Sequence, residues 1–204
     1  MFINKIPFIM TTSCNICFGT AELFKDMKNN TLVTSIKQVI QTYQAHGFRI
    51  KAILADGQFI RIQQIIKQKG ITLNICSGNE HIGEIERYIR TVKERVRSIA
   101  TTLPFERYPP QLTVKIVYNC VFWLNSFPHK DTVHTTMSPR AIMMGQRITY
   151  NKHSKLEFGT YVQTHKKHNN SIEPRTSGAI ALRPSGNEKG GHYFLSLQEK
   201  NYKE

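Results

Sequence analysis

Cysteine is scarce in this chain: Cys14, Cys17, Cys76 and Cys120 are the only four among 204 residues. Four thiols with no secretory leader before them do not make a disulfide-stapled fold, and a reduced, intracellular compartment is the expectation. Long hydrophobic runs are also lacking. Phe2–Met10 is broken by Lys5 and Pro7 and is too short to cross a bilayer, so no membrane partner is expected. A Gly-rich phosphate loop, a nucleophile elbow and a dinucleotide fingerprint are all absent, which leaves a nucleotide-dependent or hydrolase-type α/β enzyme without positive support. There is no internal repeat, coiled coil or long low-complexity stretch. Acids are few, 14 against 28 Lys and Arg, for a net charge of +14 and a pI near 9.8. The positive charge is spread along the chain, which favours a folded surface that meets a polyanion, most often nucleic acid. A hydrophobic content of 40% is adequate for a packed core. The length suits one domain with an appendage, or two small ones.

Periodicity and punctuation give the expected elements. Phe2–Met10 reads as a strand with an irregularity at Pro7, and Ser13–Phe18 as a second short strand. Thr31 is placed to cap a helix from Leu32 to about His46, which Gly47 ends. Arg49–Ala55 reads as a buried strand finishing on Asp56-Gly57. Ile60–Lys69 is a short helix closed by Gly70, and Ile71–Ile75 another buried strand. Ser77-Gly78-Asn79 forms a loop before a long amphipathic helix that begins near Ile82–Glu84. A second helix, Pro110–Ser126, is apolar nearly all round and therefore buried. Ser138-Pro139 opens a short helix to Met144, closed by Gly145. From Tyr150 the composition shifts to three short strands, Phe158–Thr164, Ser177–Arg183 and His192–Leu197, with Gly-rich turns between them. The alternation is that of an α/β core followed by a small β-rich unit. The divisions expected are residues 1–128 for the core, 129–150 for a connecting segment and 151–204 for the β appendage.

The chemistry concentrates on the long helix. Residues three and four apart share a helix face, so Glu86, Arg90, Lys93 and Arg97 form one stripe. Ile85, Ile89, Val92, Val96 and Ile99 form a second, apolar one. An acid at the head of a basic ridge suits a metal beside a polyanion. Asp56, at the carboxyl end of a strand where open α/β sheets present ligands, is the candidate second acid. Two such carboxylates could hold Mg²⁺, a hard ion that keeps several waters. Each residue also has a plainer role: Asp56 as the acid of an Asp-Gly turn, Glu86 as a first-turn acid that complements the helix dipole.

Ile85-Glu86-Arg87-Tyr88-Ile89-Arg90-Thr91-Val92 resembles the Glu-Arg-x-x-Arg-Thr signature of retrotransposon integrases, especially the Ty1/copia type. Leu54-Ala55-Asp56-Gly57-Gln58-Phe59 is similar to their Ser-Asp-(Asn)-Gly-x-Glu-Phe segment. Ser138-Pro139-Arg140-Ala141-Ile142-Met143-Met144-Gly145 resembles the Pro-to-Gly segment after their catalytic core, and Leu156-Glu157-Phe158-Gly159-Thr160-Tyr161-Val162 their Phe-Gly strand. The resemblance runs in order along nearly the whole chain. It implies an RNase H-like mixed sheet with flanking helices, and the DDE chemistry of DNA integration: three carboxylates, two Mg²⁺ (or Mn²⁺) ions, 3′-end processing and strand transfer. Carried over by motif, Asp56 is the second catalytic and metal-binding acid and Glu86 the third. Arg87, Arg90, Lys93 and Arg97 are the DNA-binding row. The family's first acid falls just ahead of Met1, and Glu22 and Asp26 do not fit its motif, so the resemblance implies an N-terminally truncated, catalytically incomplete fragment. The spacer from Asp56 to Glu86 is shorter than is usual in the family. Element ends and target DNA are the implied partners, a homo-oligomer an implied assembly, and the nucleus or a virus-like particle an implied location.

Glu80 and Glu84 are rivals for the third acid; the register of Arg87, Arg90 and Thr91 selects Glu86. Cys14-x-x-Cys17 has the spacing of a metal or redox pair, but no second pair stands at a sensible distance, and His165-x-x-His168 is far away. A buried or half-buried pair on a strand is expected there. His81 reads as a solvated loop residue. Lys25, Lys28, Lys37, Arg49, Lys51, Lys166 and Lys167 rank below the helix cations as phosphate contacts. Two other readings stand beside the integrase core: a non-catalytic DNA-binding remnant, and an RNase H-type nuclease.

Overall fold

The computed structural model describes residues 1–24, 26, 28–76, 82–130, 132–166, 170, 172, 174–197 and 202–203. The chain opens with a three-stranded antiparallel sheet of β1 (Phe2–Ile3), β2 (Ile6–Thr12) and β3 (Gly19–Leu23). The expected single strand over Phe2–Met10 is therefore a hairpin. Its turn is made by Asn4 (φ 47°) and Lys5 (φ 65°), a left-handed pair that carries no glycine to announce it. The strand expected over Ser13–Phe18 is not one either. Residues 14–16 form a turn, Cys17 takes φ 56°, and the strand begins at Gly19.

Helix α1 (Asn29–Ala45) starts two residues before Thr31, with Lys28 at the N-cap and no side-chain cap. The Thr31 hydroxyl donates to Asp26 instead. A parallel pair follows, β4 (Ala52–Ala55) and β5 (Thr72–Ile75). A 3-10 helix (Gly57–Ile62) and α2 (Gln63–Lys67) connect the two. These strands are less buried than their apolar sequences suggest: Ala55 and Leu73 are buried, yet Leu54 is 54% exposed. Helices α3 (Gly83–Thr102) and α4 (Pro110–Ser126) come next, the latter with the predicted bounds. Ser138 Oγ accepts from Ala141 N (3.2 Å) and caps α5 (Pro139–Met144), and Gly145 at φ 68° closes it in the left-handed conformation that favours glycine. A short helix the sequence reading missed, α6 (Tyr150–His153), precedes a four-stranded antiparallel sheet. Its strands are β6 (Tyr161–His165), β7 (Thr176–Pro184), β8 (His192–Ser196) and β9 (Tyr202–Lys203), in that order.

Alternation along β2 builds two cores from one strand. Phe8 faces a cluster with Val92 and Val96 of α3 and Ile116, Val117 and Cys120 of α4. Its neighbour Ile9 faces the other way, among Leu32 and Ile36 of α1 and Ile62, Ile66 and Leu73. Ile62, Ile66 and Ile116 are wholly inaccessible, each contributing about 1.5–3 kcal/mol relative to exposure. Leu182 of β7 joins the α3–α4 cluster, so the C-terminal sheet packs on α4. Burial of the Cys120 thiol among these apolar groups pushes its pKa up to about 12.

Two side chains fasten β3. Asn125 of α4 accepts from Gly19 N (2.8 Å) and donates to Gly19 O (2.8 Å), both buried. Tyr88 of α3 lies over the Gly19 Cα: a Cβ there would stand 2.1 Å from its hydroxyl oxygen. Only glycine permits that approach.

Candidate nucleic-acid interface and its carboxylates

Helix α3 presents its polar face as a shallow groove of about 250 Å³ lined by Glu86, Ile89, Arg90, Lys93, Glu94 and Arg97. The opposite face is anchored by Val92 and Val96. The four residues of the predicted stripe thus share one surface. Ile89, expected on the apolar stripe, lines the groove as well. Arg87 is exposed but is not among the lining residues; it lies further round the helix, where its carbonyl accepts from Thr91 Oγ1 (3.0 Å). Lys93 also bears on the amino group of Met1, whose pKa is lowered first by burial and then by that ammonium. The Met1 amino group donates to Phe8 O (2.9 Å), so the start of the first hairpin and the basic ridge adjoin.

The acids separate clearly. Glu84 and Glu86 both stand in the first turn of α3, where the helix dipole favours negative charge. Glu84 is engaged with Cys14, whose thiol pKa is raised by burial, then by the Glu84 charge and hydrogen bond. Glu86 turns into the groove with the cations. Glu80 and His81 lie outside the described residues. Asp56 follows β4 and caps the 3-10 helix, accepting from Gln58 N (3.4 Å). It is exposed and does not line the α3 groove. Among the described residues no three His, Cys, Asp or Glu side chains come together as a metal site. Glu86 lines the groove and Asp56 does not; each carries the hard carboxylate oxygens that a divalent ion takes.

The remaining candidates resolve individually. Cys14 and Cys17 lie on the segment between β2 and β3, outside any disulfide, Cys14 exposed and Cys17 half-buried, so the strand placement expected for them does not hold. Lys28 pairs with Asp26 at 3.7 Å. Lys37, Arg49 and Lys51 are exposed, Lys166 is half-buried, and Lys25, Lys167 and His168 lie outside the described residues. The sequence reading also missed two arginines, Arg140 and Arg183, that meet at the Phe122 ring. They stand 43 positions apart and carry no local signal of that meeting. Among the described residues no helix is long and apolar enough to cross a membrane.

No protein-family model matches the sequence, and no curated protein does. Among solved structures the chain is similar to the catalytic core domain of BIV integrase, with 18% identity and a TM-score of 0.52, over 70% of this chain and 88% of that one. At that identity the likeness is one of fold. The α/β body of this chain, with its hairpin sheet, its parallel strand pair and the long helix α3, has the RNase H-like fold of an integrase catalytic core, and a small antiparallel sheet follows it.

Proposed function

We propose that this chain is the catalytic-core region of a retroelement integrase of the Ty1/copia type, and that it engages DNA through the groove of α3. The observation that carries the reading is the alignment of Arg90, Lys93 and Arg97 with Glu86 in one groove, on a fold shared with an integrase core. Cations at successive turns of a helix meet successive phosphates of a backbone, and each contact releases a counterion. Glu86 places a carboxylate beside that track, and Asp56 is the second acid the motifs assign. Both offer the oxygen donors that Mg²⁺ or Mn²⁺ takes, and a bound ion would supply charge stabilisation at a reacting phosphate. Glu86 and Asp56 would hold it, with Arg90 and Lys93 orienting the DNA.

A second reading, a DNA-binding module without catalysis, is favoured by one observation. Among the described residues no three His, Cys, Asp or Glu side chains gather as a metal site. The two readings differ in metal dependence. Titration of the chain with a short duplex in the presence and absence of Mg²⁺, repeated for Glu86→Gln and Asp56→Asn, separates them. The integrase reading expects Mg²⁺ to change DNA affinity in the parent chain and not in either variant. Affinity indifferent to Mg²⁺ in all three proteins supports the second reading. Cleavage of the RNA strand of an RNA–DNA hybrid would point instead to a nuclease.

A further inference from the structure

The α4–β7 seam holds a concentration of positive charge that the α3 groove does not explain. The Arg140 guanidinium, from the start of α5, lies 5.1 Å from the centroid of the Phe122 ring. That of Arg183, from β7, lies 5.8 Å from the same ring and 4.5 Å from that of Tyr193. Lys115, two turns before Phe122 on α4, is near enough for Arg183 to depress its ammonium, after burial has done so. Burial also lowers the Arg140 pKa, and Arg183 lowers it further.

Cations gathered in a half-buried seam repel one another and lose hydration, so a compensating acid is expected. Neither arginine has one: among the described residues no carboxylate lies within 4.0 Å of Arg140 or Arg183. Glu188, on the turn between β7 and β8, is exposed and unpaired with them. Glu22, on the β3 side of α4, is half-buried, and its pKa is raised by burial alone. The guanidinium donors are only partly used. Arg140 Nη2 reaches Gly186 O at 3.4 Å, Arg183 Nη1 donates to Pro184 O at 3.0 Å, and Arg140 Nε is buried with no partner among the described residues. The Phe122 and Tyr193 rings lie beside the two guanidinium groups at cation–π distance, and such a contact with a ring face does not use up N–H donors.

We propose that this seam is an oxyanion site, in which Arg140 and Arg183 bind a phosphate group. Planar donor edges beside aromatic rings match the oxygens of phosphate bidentately. The Gly-rich turn Ser185–Gly191 forms its rim, and Gly186 lets that turn lie against Arg140: a Cβ there would stand 2.3 Å from Nη2. The site is separate from the α3 groove in residues and does not depend on the integrase reading.

The test is thermal unfolding of the full chain with inorganic phosphate, against chloride at matched ionic strength. The site predicts a saturable rise in Tm in the parent chain, lost in Arg183→Gln and kept in Lys67→Gln, a change at an exposed lysine of α2. Because Arg183→Gln could unfold the seam, Arg183→Lys provides the second reading. It keeps the charge without the forked edge and should weaken phosphate by about tenfold. An equal phosphate response in the parent, Arg183→Gln and Arg183→Lys proteins, or none in the parent, overturns the proposal. Duplex DNA binding by the same variants identifies the source of the phosphate. A loss in Arg183→Gln, with the salt slope reduced by about one unit, assigns the site to a nucleic-acid backbone. Unchanged DNA affinity together with a lost phosphate response assigns it to a free or small-molecule phosphate.

Discussion

The Tyr88 hydroxyl is buried between α3 and β3 and has no hydrogen-bond partner among the described residues. Burial drives the phenol pKa well above its usual range. An unpartnered buried hydroxyl forfeits its hydration for nothing, a cost of about 1–3 kcal/mol. Tyr88→Phe keeps the ring that covers Gly19 and removes only the oxygen. The variant should therefore be more stable than the parent by about 1 kcal/mol, the lower end of that range because the ring stays and the cavity left is one atom. For a chain of this size that is about 2–4 °C in Tm. Urea unfolding followed by circular dichroism is the assay; the midpoint should rise with the slope unchanged. Gly19→Ala should cost about 1–3 kcal/mol by overpacking, and almost as much in the Tyr88→Phe background, because the ring carbon Cζ at 2.3 Å remains in the way. A Tyr88→Phe protein less stable than the parent by 1 kcal/mol or more would refute the reasoning, since the hydroxyl would then be bonded in solution.

Further expectations follow from the same contacts. Asn125→Ala removes two buried bonds to Gly19 and should cost about 3 kcal/mol, read from the urea midpoint. Ser138→Ala deletes the cap of α5 and should cost about 1 kcal/mol. Cys120, whose thiol is raised to about 12 from an ordinary 9.0, stays protonated in the fold while an unfolded chain ionises. Its contribution to stability is complete below about pH 9 and is lost as the pH rises toward 12. Cys120→Val should flatten that part of the alkaline stability curve. Thiol labelling of the native protein should modify exposed Cys14 before buried Cys120.

Local chemistry made part of this molecule legible. Pro110–Ser126 carries helical periodicity between a proline and a Phe-Pro stop, and its bounds are those observed. Ser138-Pro139 and Gly145 punctuate α5 with a cap and a left-handed closure that the sequence states outright. The groove stripe follows from helical spacing alone. Other features have no local mark. The β1–β2 turn uses Asn4 and Lys5 where glycine would have announced it. Ile53 and Leu54 look like a buried strand, but β4 is covered on one face only, so the pattern overstates its burial. Arg140 and Arg183 meet only through the packing of the C-terminal sheet on α4, and the contact of Glu84 with Cys14, which sets it apart from the groove-lining Glu86, joins residues far apart in sequence.

The claim that the polar face of α3 is the DNA interface is tested most directly by the salt dependence of duplex binding. Fluorescence anisotropy at several salt concentrations should be compared for the parent and the Arg90→Gln, Lys93→Gln, Arg97→Gln triple variant, with circular dichroism confirming an intact helix. Three lost phosphate contacts predict weaker binding and a log–log slope shallower by about 2–3 units. An unchanged affinity and slope in a folded triple variant would place the DNA elsewhere and contradict the account.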